Sequence, residues 1–270
     1  MYHLNKFSLI ILTRCNLRCK LCCEYVPQNK PFQDMTEQEA KDILEALFRV
    51  VDRVHTLHLT GGGEPFLHSK LADLIEEAMK FEDKFDRLML FTNCTVLPSE
   101  RLIEVLNKYS DKLLVQVSRY GIRPEMEEKV LHQLEQTKVK LKIEKYYGES
   151  QSFGGWVDFG EWKPQQRTPE QLEQIFKYCV VTCNMHGNWR TRDGKVHWCS
   201  RSQRGMDLGL LPDNSEDYVD LFDDTSIEEK QAKFEQIAKG RYLLACGYCS
   251  GDQGTADSVK RYPAAEQMER

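Results

Sequence analysis

Four of the ten cysteines in this chain lie between positions 15 and 23, in the run TRCNLRCKLCC that begins at Thr13. Cys15, Cys19 and Cys22 keep CxxxCxxC spacing. Thiolates three or four positions apart on a turn or short helix converge on one point, and three soft sulfur ligands on one loop suit iron–sulfur or zinc. A four-iron cluster held by three cysteines leaves one iron without a protein ligand. That vacancy is where a small chelating molecule would bind, much as a catalytic zinc keeps an open position. The plainer alternative is a zinc knuckle completed by Cys23 or His3, which leaves the motifs described next unexplained.

Something must hold these thiols at a working surface. Residues 7–12 (FSLIIL) read as a buried strand, and residues 36–51 as a helix. Thr36 and Glu39 form a capping box there, and Ile43, Leu44, Leu47, Phe48 and Val51 keep helical spacing. Strands follow at 54–60, 87–92, 113–117 and 139–144, with helices marked by Leu71 to Met79, near 100–108 and near 125–136. Strand–helix repetition with strands apolar on both faces implies parallel α/β architecture. In such folds, chemistry sits on the loops after the C-terminal ends of strands. The unusual residues of this chain fall there: the cysteine run, then Gly61-Gly62-Gly63-Glu64-Pro65, Thr92-Asn93-Cys94, Ser118-Arg119 and Lys145-Tyr146-Tyr147.

Beyond Tyr147 the texture changes. Residues 148–168 read as a long aromatic loop or lid, 169–177 as a helix, and 188–200 as a hairpin turning at Asp193-Gly194. A polar, acidic connection follows. Residues 226–239 read as a helix stopped by Gly240, then come CGYC at 246–249 and a polar tail. The expected division is a first domain over 1–165, a second over 166–255 and a tail over 256–270.

The net charge of -5 in 270 residues gives no reason to expect a nucleic-acid partner. The N-terminal sequence lacks a signal-peptide cleavage pattern, and no apolar run spans a bilayer. A cytoplasmic location follows as the expectation, with no membrane association, and there cysteines serve as metal ligands or catalytic thiols more than as disulfides.

CxxxCxxC after a first strand, followed by GGEP after the second, resembles the radical S-adenosylmethionine (SAM) superfamily. The resemblance covers roughly the first 150 residues. It implies a partial (β/α)6 barrel in which Cys15, Cys19 and Cys22 hold a [4Fe-4S] cluster whose fourth iron is chelated by SAM. By position, Gly62, Gly63 and Glu64 would bind the SAM amino group, Asn93 and Ser118 the ribose or carboxylate, and Arg119 the carboxylate. Leu21 stands where the family usually has an aromatic residue, and still offers an apolar face toward adenine. In Ser118-Arg119-Tyr120-Gly121, relatives often show an acidic residue after the serine.

Cys183, Gly194, Cys199 and the Cys246–Cys249 pair resemble the short "twitch" form of the SPASM auxiliary domain, a small α+β unit. The resemblance implies a second [4Fe-4S] cluster on Cys183, Cys199, Cys246 and Cys249, fully ligated and suited to electron transfer. Cys179 is a possible substitute for Cys183, and a zinc ribbon is the alternative for the same ligands. Cys23, Cys94 and Cys179 are left over, either as small buried hydrophobes or with one donating a hydrogen atom to a substrate radical.

The family's chemistry is reductive cleavage of SAM to a 5′-deoxyadenosyl radical that abstracts a substrate hydrogen, with the protein supplying position and exclusion of water. The short length and single auxiliary domain resemble aminoglycoside-pathway cyclitol dehydrogenases. That implies a two-electron oxidation of a small sugar or cyclitol alcohol, with the second cluster as acceptor and a flavodoxin or ferredoxin as reductant. Lys145, Tyr147 and Arg119 are the candidate bases. Tyr147, Trp156 and Asp158 are candidates for the substrate pocket. His55 and His58 read as structural, and His68 as facing the cavity. The rivals are a ribosomal-peptide maturase, for which residues before Cys15 leave no room for a recognition domain, and a radical epimerase using a spare thiol.

Overall fold

The computed structural model describes residues 1–28, 30–149, 151–183, 185–251 and 260–269. The chain opens with β1 (His3–Leu12) and continues through α1 (Glu37–Val50), β2 (Arg53–Gly61), α2 (Leu71–Met79), β3 (Phe85–Thr92), α3 (Glu100–Lys108), β4 (Leu113–Arg119), α4 (Pro124–Glu135) and β5 (Lys140–Lys145). The capping box foreseen at α1 is present: Glu39 N–H donates to Thr36 Oγ1, and the Glu39 carboxylate accepts from the Thr36 N–H. It satisfies two of the helix's orphan N–H groups. Ala40, Ile43, Leu44, Leu47 and Val50 form the buried face of α1. Each large aliphatic side chain buried this way stabilises the fold by about 1.5–3 kcal/mol.

The second half supplies α5 (Pro169–Tyr178), α6 (Val180–Cys183), β6 (Trp189–Thr191), β7 (Lys195–His197), α7 (Ser200–Asp207), β8 (Tyr218–Asp220) and α8 (Ile227–Ala238). All eight strands named here join one mixed sheet in the order β5-β4-β3-β2-β1-β6-β7-β8. Pairing is parallel from β5 through β6 and antiparallel for β6–β7 and β7–β8. This is the mostly parallel α/β sheet of a partial barrel. The sixth parallel strand lies beside β1 rather than beside β5, so the hairpin of the second half extends the same sheet.

Strand alternation gives this sheet two different faces. Phe7, Leu9, Ile11, Leu57, Leu59, Leu88, Leu90, Val115 and Val117 are fully buried in the main core with the apolar faces of α1, α2 and α3. The intervening residues form the other face. In register these run Arg190–Ser8–His58–Met89–Leu114–Lys140, then Ile10–Thr60 and Phe91–Gln116–Lys142, then Ser118–Glu144. The second face therefore mixes polar residues with Ile10, Met89, Phe91 and Leu114, and its last row, at the strand tips, is polar.

The polar end of the chain lies against the cysteine loop. Positions 256–259 and 270 of that segment lie outside the described residues. Within it Ala265 is buried in a small cluster with Leu17 and Cys19, and Gln267 forms an antiparallel bridge with Cys19. Hydrophobicity patterning does not detect such a segment, because most of its contacts are hydrogen bonds of the backbone and of polar side chains. Among the described residues no helix is long and apolar enough to cross a membrane.

Candidate functional site

The loop after β1 carries Cys15, Cys19 and Cys22. Burial pushes the Cys15 thiol up to about 11 and Cys19 to about 12, and it raises Cys22 as well. The three thiols also repel one another's charge, so they share one neighbourhood. Each is supplied with N–H donors. Leu17 N–H donates to Cys15 Sγ at 3.4 Å, and Asn93 Nδ2 donates to the same sulfur at 3.7 Å. Gln267 Nε2 reaches Cys19 Sγ at 3.4 Å. Backbone N–H groups of Glu24 to Val26 serve Cys22. Convergent donors suit a thiolate holding metal rather than a thiol, because hydrogen bonds stabilise the charged sulfur. The donor set fits an iron–sulfur cluster.

The glycine loop after β2 presses against this cysteine loop. Gly62 N–H donates to Leu12 O at 2.8 Å, and Glu64 N–H to Arg14 O at 3.0 Å. A Cβ on Gly63 would sit 1.9 Å from Arg14 O, so the close approach of two backbones demands glycine there. The carboxylate of Glu64 is buried and turned inward. It accepts from Asn93 N–H at 2.6 Å and Phe66 N–H at 3.0 Å. Burial raises its pKa to about 7 against the pull of those donors. Glu64 thus ties the tip of β3 to the glycine loop. Asn93 completes the tie: its Nδ2 donates to Asn16 Oδ1 at 2.9 Å, and its Oδ1 accepts from Thr95 N–H and Oγ1.

A second tie was not foreseen. Glu24 follows the cysteines, is buried, and lies with Oε2 3.3 Å from where a Gly62 Cβ would be. Arg190 of β6 grips it with Nη1 and Nη2, while Arg190 Nε donates to Gln203 Oε1 at 2.6 Å. Arg204 of α7, 2% exposed, donates from Nε to the Glu24 carbonyl at 2.9 Å. Helix α7 buries Arg201, Ser202, Gln203 and Arg204. A helix whose buried face is polar carries no hydrophobic period, which is why sequence patterning passes over it.

The other expected site residues divide. Ser118 is on the polar face opposite Glu144. Leu21 is half-buried in the cysteine loop. Arg119 is on the opposite face of β4, where it pairs with Glu127 at 3.5 Å and with Glu128 on α4. Lys145 is exposed with Nζ 4.7 Å from the centre of the Tyr147 ring, and Tyr147 packs over Gly121. None of these three shares the row of Ser118 and Glu144. Trp156 packs edge-on to Tyr120 at 5.6 Å, and Asp158 is exposed, accepting from Gly160 N–H. His68 is buried and committed at both ring nitrogens, to Met35 O and the Lys70 N–H, so it does not face the cavity. Cys94 is buried with Sγ donating to Glu127 O at 3.3 Å, on the helix side of the sheet. Sequence reasoning missed Glu144. Its carboxylate is held below the usual range by a hydrogen bond from Ser152 (2.6 Å) and by Lys142 (2.9 Å).

The second thiol group lies where α7 and the CGYC run meet. Cys199 caps α7, accepting from Ser202 N–H at 3.4 Å. Burial raises Cys199 to about 12 and raises Cys246 and Cys249. Cys199 and Cys246 both feel the charges of Cys249 and of Cys179. Cys183 is exposed, with Sγ donating to Tyr178 O at 3.7 Å. Two arginines flank the sulfurs. Arg167 donates to the carbonyls of Cys246 and Cys249. Arg201 stacks 3.4 Å from the centre of the Trp162 ring and hydrogen-bonds Cys249. Cationic donors around buried thiols fit a thiolate-held cluster here too.

Residues 9–136 match the radical SAM superfamily. No curated protein sequence matches the chain. Among solved structures, the fold resembles polyhistidine-tagged anSMEcpe with bound AdoMet, with a TM-score of 0.55 and 15% identity over 97% of this chain and 92% of that one. It resembles BtrN in complex with AdoMet and 2-DOIA at a TM-score of 0.52 and 16% identity, over 95% of this chain and 98% of that one. Streptococcus suis SuiB bound to S-adenosylmethionine aligns at a TM-score of 0.44 and 15% identity over 66% of this chain, which spans 38% of the SuiB chain. At these identities the likeness is one of fold.

Proposed function

We propose, from the match of residues 9–136 to the radical SAM superfamily, that the chain is a radical SAM enzyme oxidising an alcohol of a small sugar or cyclitol. Cys15, Cys19 and Cys22 would hold the first [4Fe-4S] cluster. Gly62, Gly63, Asn93 and Ser118 would line the SAM site. Cys199, Cys246, Cys249 and Cys179 would hold a second [4Fe-4S] cluster, with Cys179 taking the place that spacing alone gave to Cys183. When bound, these groups supply a hydrogen-abstracting 5′-deoxyadenosyl radical and a sink for the second electron of the oxidation. The dehydrogenase reading rests on taking Cys179, Cys199, Cys246 and Cys249, beside Arg167 and Arg201, as one ligand set, since hydrogen transfer alone needs no such site.

The chain's own residues then bind, orient and move a proton. Glu144 shares a register row with Ser118 and is held ionised by Ser152 and Lys142. It replaces Lys145, Tyr147 and Arg119 as the preferred acceptor of the substrate hydroxyl proton. Thr60, Gln116 and Lys142 add donors and acceptors on the same polar face, a surface suited to a hydroxylated ring. Likeness to BtrN, which was crystallised with 2-DOIA, supports the same direction. Epimerisation and peptide maturation are the alternatives that the test must separate from oxidation.

The test is anaerobic incubation of the reconstituted chain with SAM, a reductant and a panel of polyols deuterated at the carbinol carbon. Deuterium entering 5′-deoxyadenosine together with a ketone product supports the reading. Deuterium returned to substrate from solvent, with no ketone, supports epimerisation instead. SAM cleavage that only a peptide stimulates removes the small-molecule reading.

A further inference from the structure

The segment at 260–269 lies against the first cysteine group. Lys20 N–H donates to Glu266 O at 2.7 Å, and Met268 N–H to Arg18 O at 2.7 Å. Arg18 N–H donates to Gln267 Oε1 at 2.8 Å. The other end of the same amide, Gln267 Nε2, donates to Cys19 Sγ at 3.4 Å. Ala265, 1% exposed, packs with Leu17 and Cys19 beside Tyr120 and Trp156. Further back, Trp156 and Tyr262 exchange two backbone hydrogen bonds at 2.8 and 2.9 Å. One short segment thus joins the cysteine loop to the aromatic loop of 148–168.

We propose that residues 260–268 form a strap over the first cluster site, in which Gln267 is a positioning residue that donates to the Cys19 sulfur and Ala265 keeps water from it. The inference rests on the reading of Cys15, Cys19 and Cys22 as cluster ligands. Its physical basis is general: hydrogen bonds to cysteine sulfur stabilise the more negative, reduced state of a cluster, and exclusion of solvent protects it. Gln267 is fixed at both ends of its amide. Its donor therefore points at the sulfur without loss of rotamer freedom when the cluster is reduced.

The experiment uses the full chain, anaerobically reconstituted, with the SAM-responsive cluster signal followed by electron paramagnetic resonance during a potentiometric titration. Gln267→Leu keeps the bulk and removes the donor. It is expected to lower the midpoint, giving about a tenfold smaller reduced-to-oxidised ratio at fixed potential, which is about 59 mV for a one-electron couple. Loss of the visible cluster absorbance in air should also be several-fold faster. An unchanged midpoint with full iron overturns the proposal. If Gln267→Leu does not take up iron, the wild-type chain decides by hydrogen exchange. Peptides covering 260–268 should be protected in the loaded protein and lose protection in C15A/C19A/C22A, and lack of protection in the loaded protein overturns the strap. A wild-type chain with no SAM-responsive cluster at all would instead remove the radical SAM reading itself.

Discussion

Arg190 Nη1 and Nη2 hold the two carboxylate oxygens of Glu24 at 2.7 and 2.9 Å, both side chains nearly buried and 166 positions apart in the chain. The pair couples the two halves of the molecule at their most chemical points. Glu24 follows the first thiol group, and Arg190 lies on the first strand of the β6–β7 hairpin that leads to Cys199. A bidentate guanidinium–carboxylate pair also fixes orientation, which a lysine would not.

Breaking that pair from one side should be costly. Arg190→Met leaves Glu24 buried without its countercharge, and such losses run to about 3–5 kcal/mol. Urea unfolding of the iron-free chain measures it. Glu24→Gln in the Arg190→Met background should recover part of the loss, because it removes the orphaned charge. A double variant less stable than the sum of the singles would show that the pair does not act as a unit.

The glycines of the loop after β2 should separate by position. A Cβ at Gly63 meets backbone atoms of Arg14 at 1.9 and 2.4 Å, which no side-chain rotation relieves. At Gly62 the nearest atoms are side-chain atoms of Glu24 and Thr13, both at 3.3 Å. Gly63→Ala is expected to cost about 1–3 kcal/mol through overpacking and to reduce iron uptake. Gly62→Ala should keep iron and weaken SAM binding. Thermal unfolding, iron assay and calorimetric titration of SAM read the three effects.

Where hydrophobic period and backbone demands shape the chain, the sequence discloses the fold. Strands β1 to β5, helices α1 to α5 and α8, the glycine loop and the first three cysteines are all legible. Helix α7 is not, because Arg201, Gln203 and Arg204 on its buried side interrupt any apolar pattern. Strand β8 is three residues long and leaves almost no signal. Arg119 beside Ser118 looked equally placed for the site, yet adjacent strand residues face opposite ways. The register that decides between them depends on pairing partners. Cys179 and Cys183 are similar in sequence, four positions apart, and only the packing of α5 against the CGYC run separates them.

That pair gives a direct check. Cys179→Ala should lose about half of the iron, the share of one four-iron cluster out of two, and leave the SAM-responsive signal intact. Cys183→Ala should retain full iron. Iron and sulfide assays on anaerobically purified protein read it, and full iron in Cys179→Ala with half in Cys183→Ala would reverse the assignment. Zinc in place of iron in both would point to a zinc ribbon.

His58 supplies a test of the polar face by pH. Its ring is buried, Nδ1 lies 3.0 Å from Ser8 Oγ, and Phe91 packs edge-on at 5.2 Å. Burial, helped by the charge of Lys6, lowers its pKa from 6.5 to about 3. Above pH 6.5 the ring is neutral in folded and unfolded chains, and it contributes no pH dependence. As pH falls below 6.5 the unfolded chain takes up a proton that the folded chain does not, so stability is lost progressively toward pH 3. Between pH 6.5 and pH 5 the loss from this one group is about 2 kcal/mol. Glu64, with its pKa raised to about 7, works in the opposite direction, since the folded chain holds its proton more tightly. The difference between variants therefore carries the information. His58→Gln should remove about 2 kcal/mol of the acid-side loss relative to wild type when urea unfolding of the iron-free chain is compared at the two pH values. Parallel pH curves for the two proteins would mean that His58 takes up its proton in the folded chain, and that the polar face admits water at its deepest row.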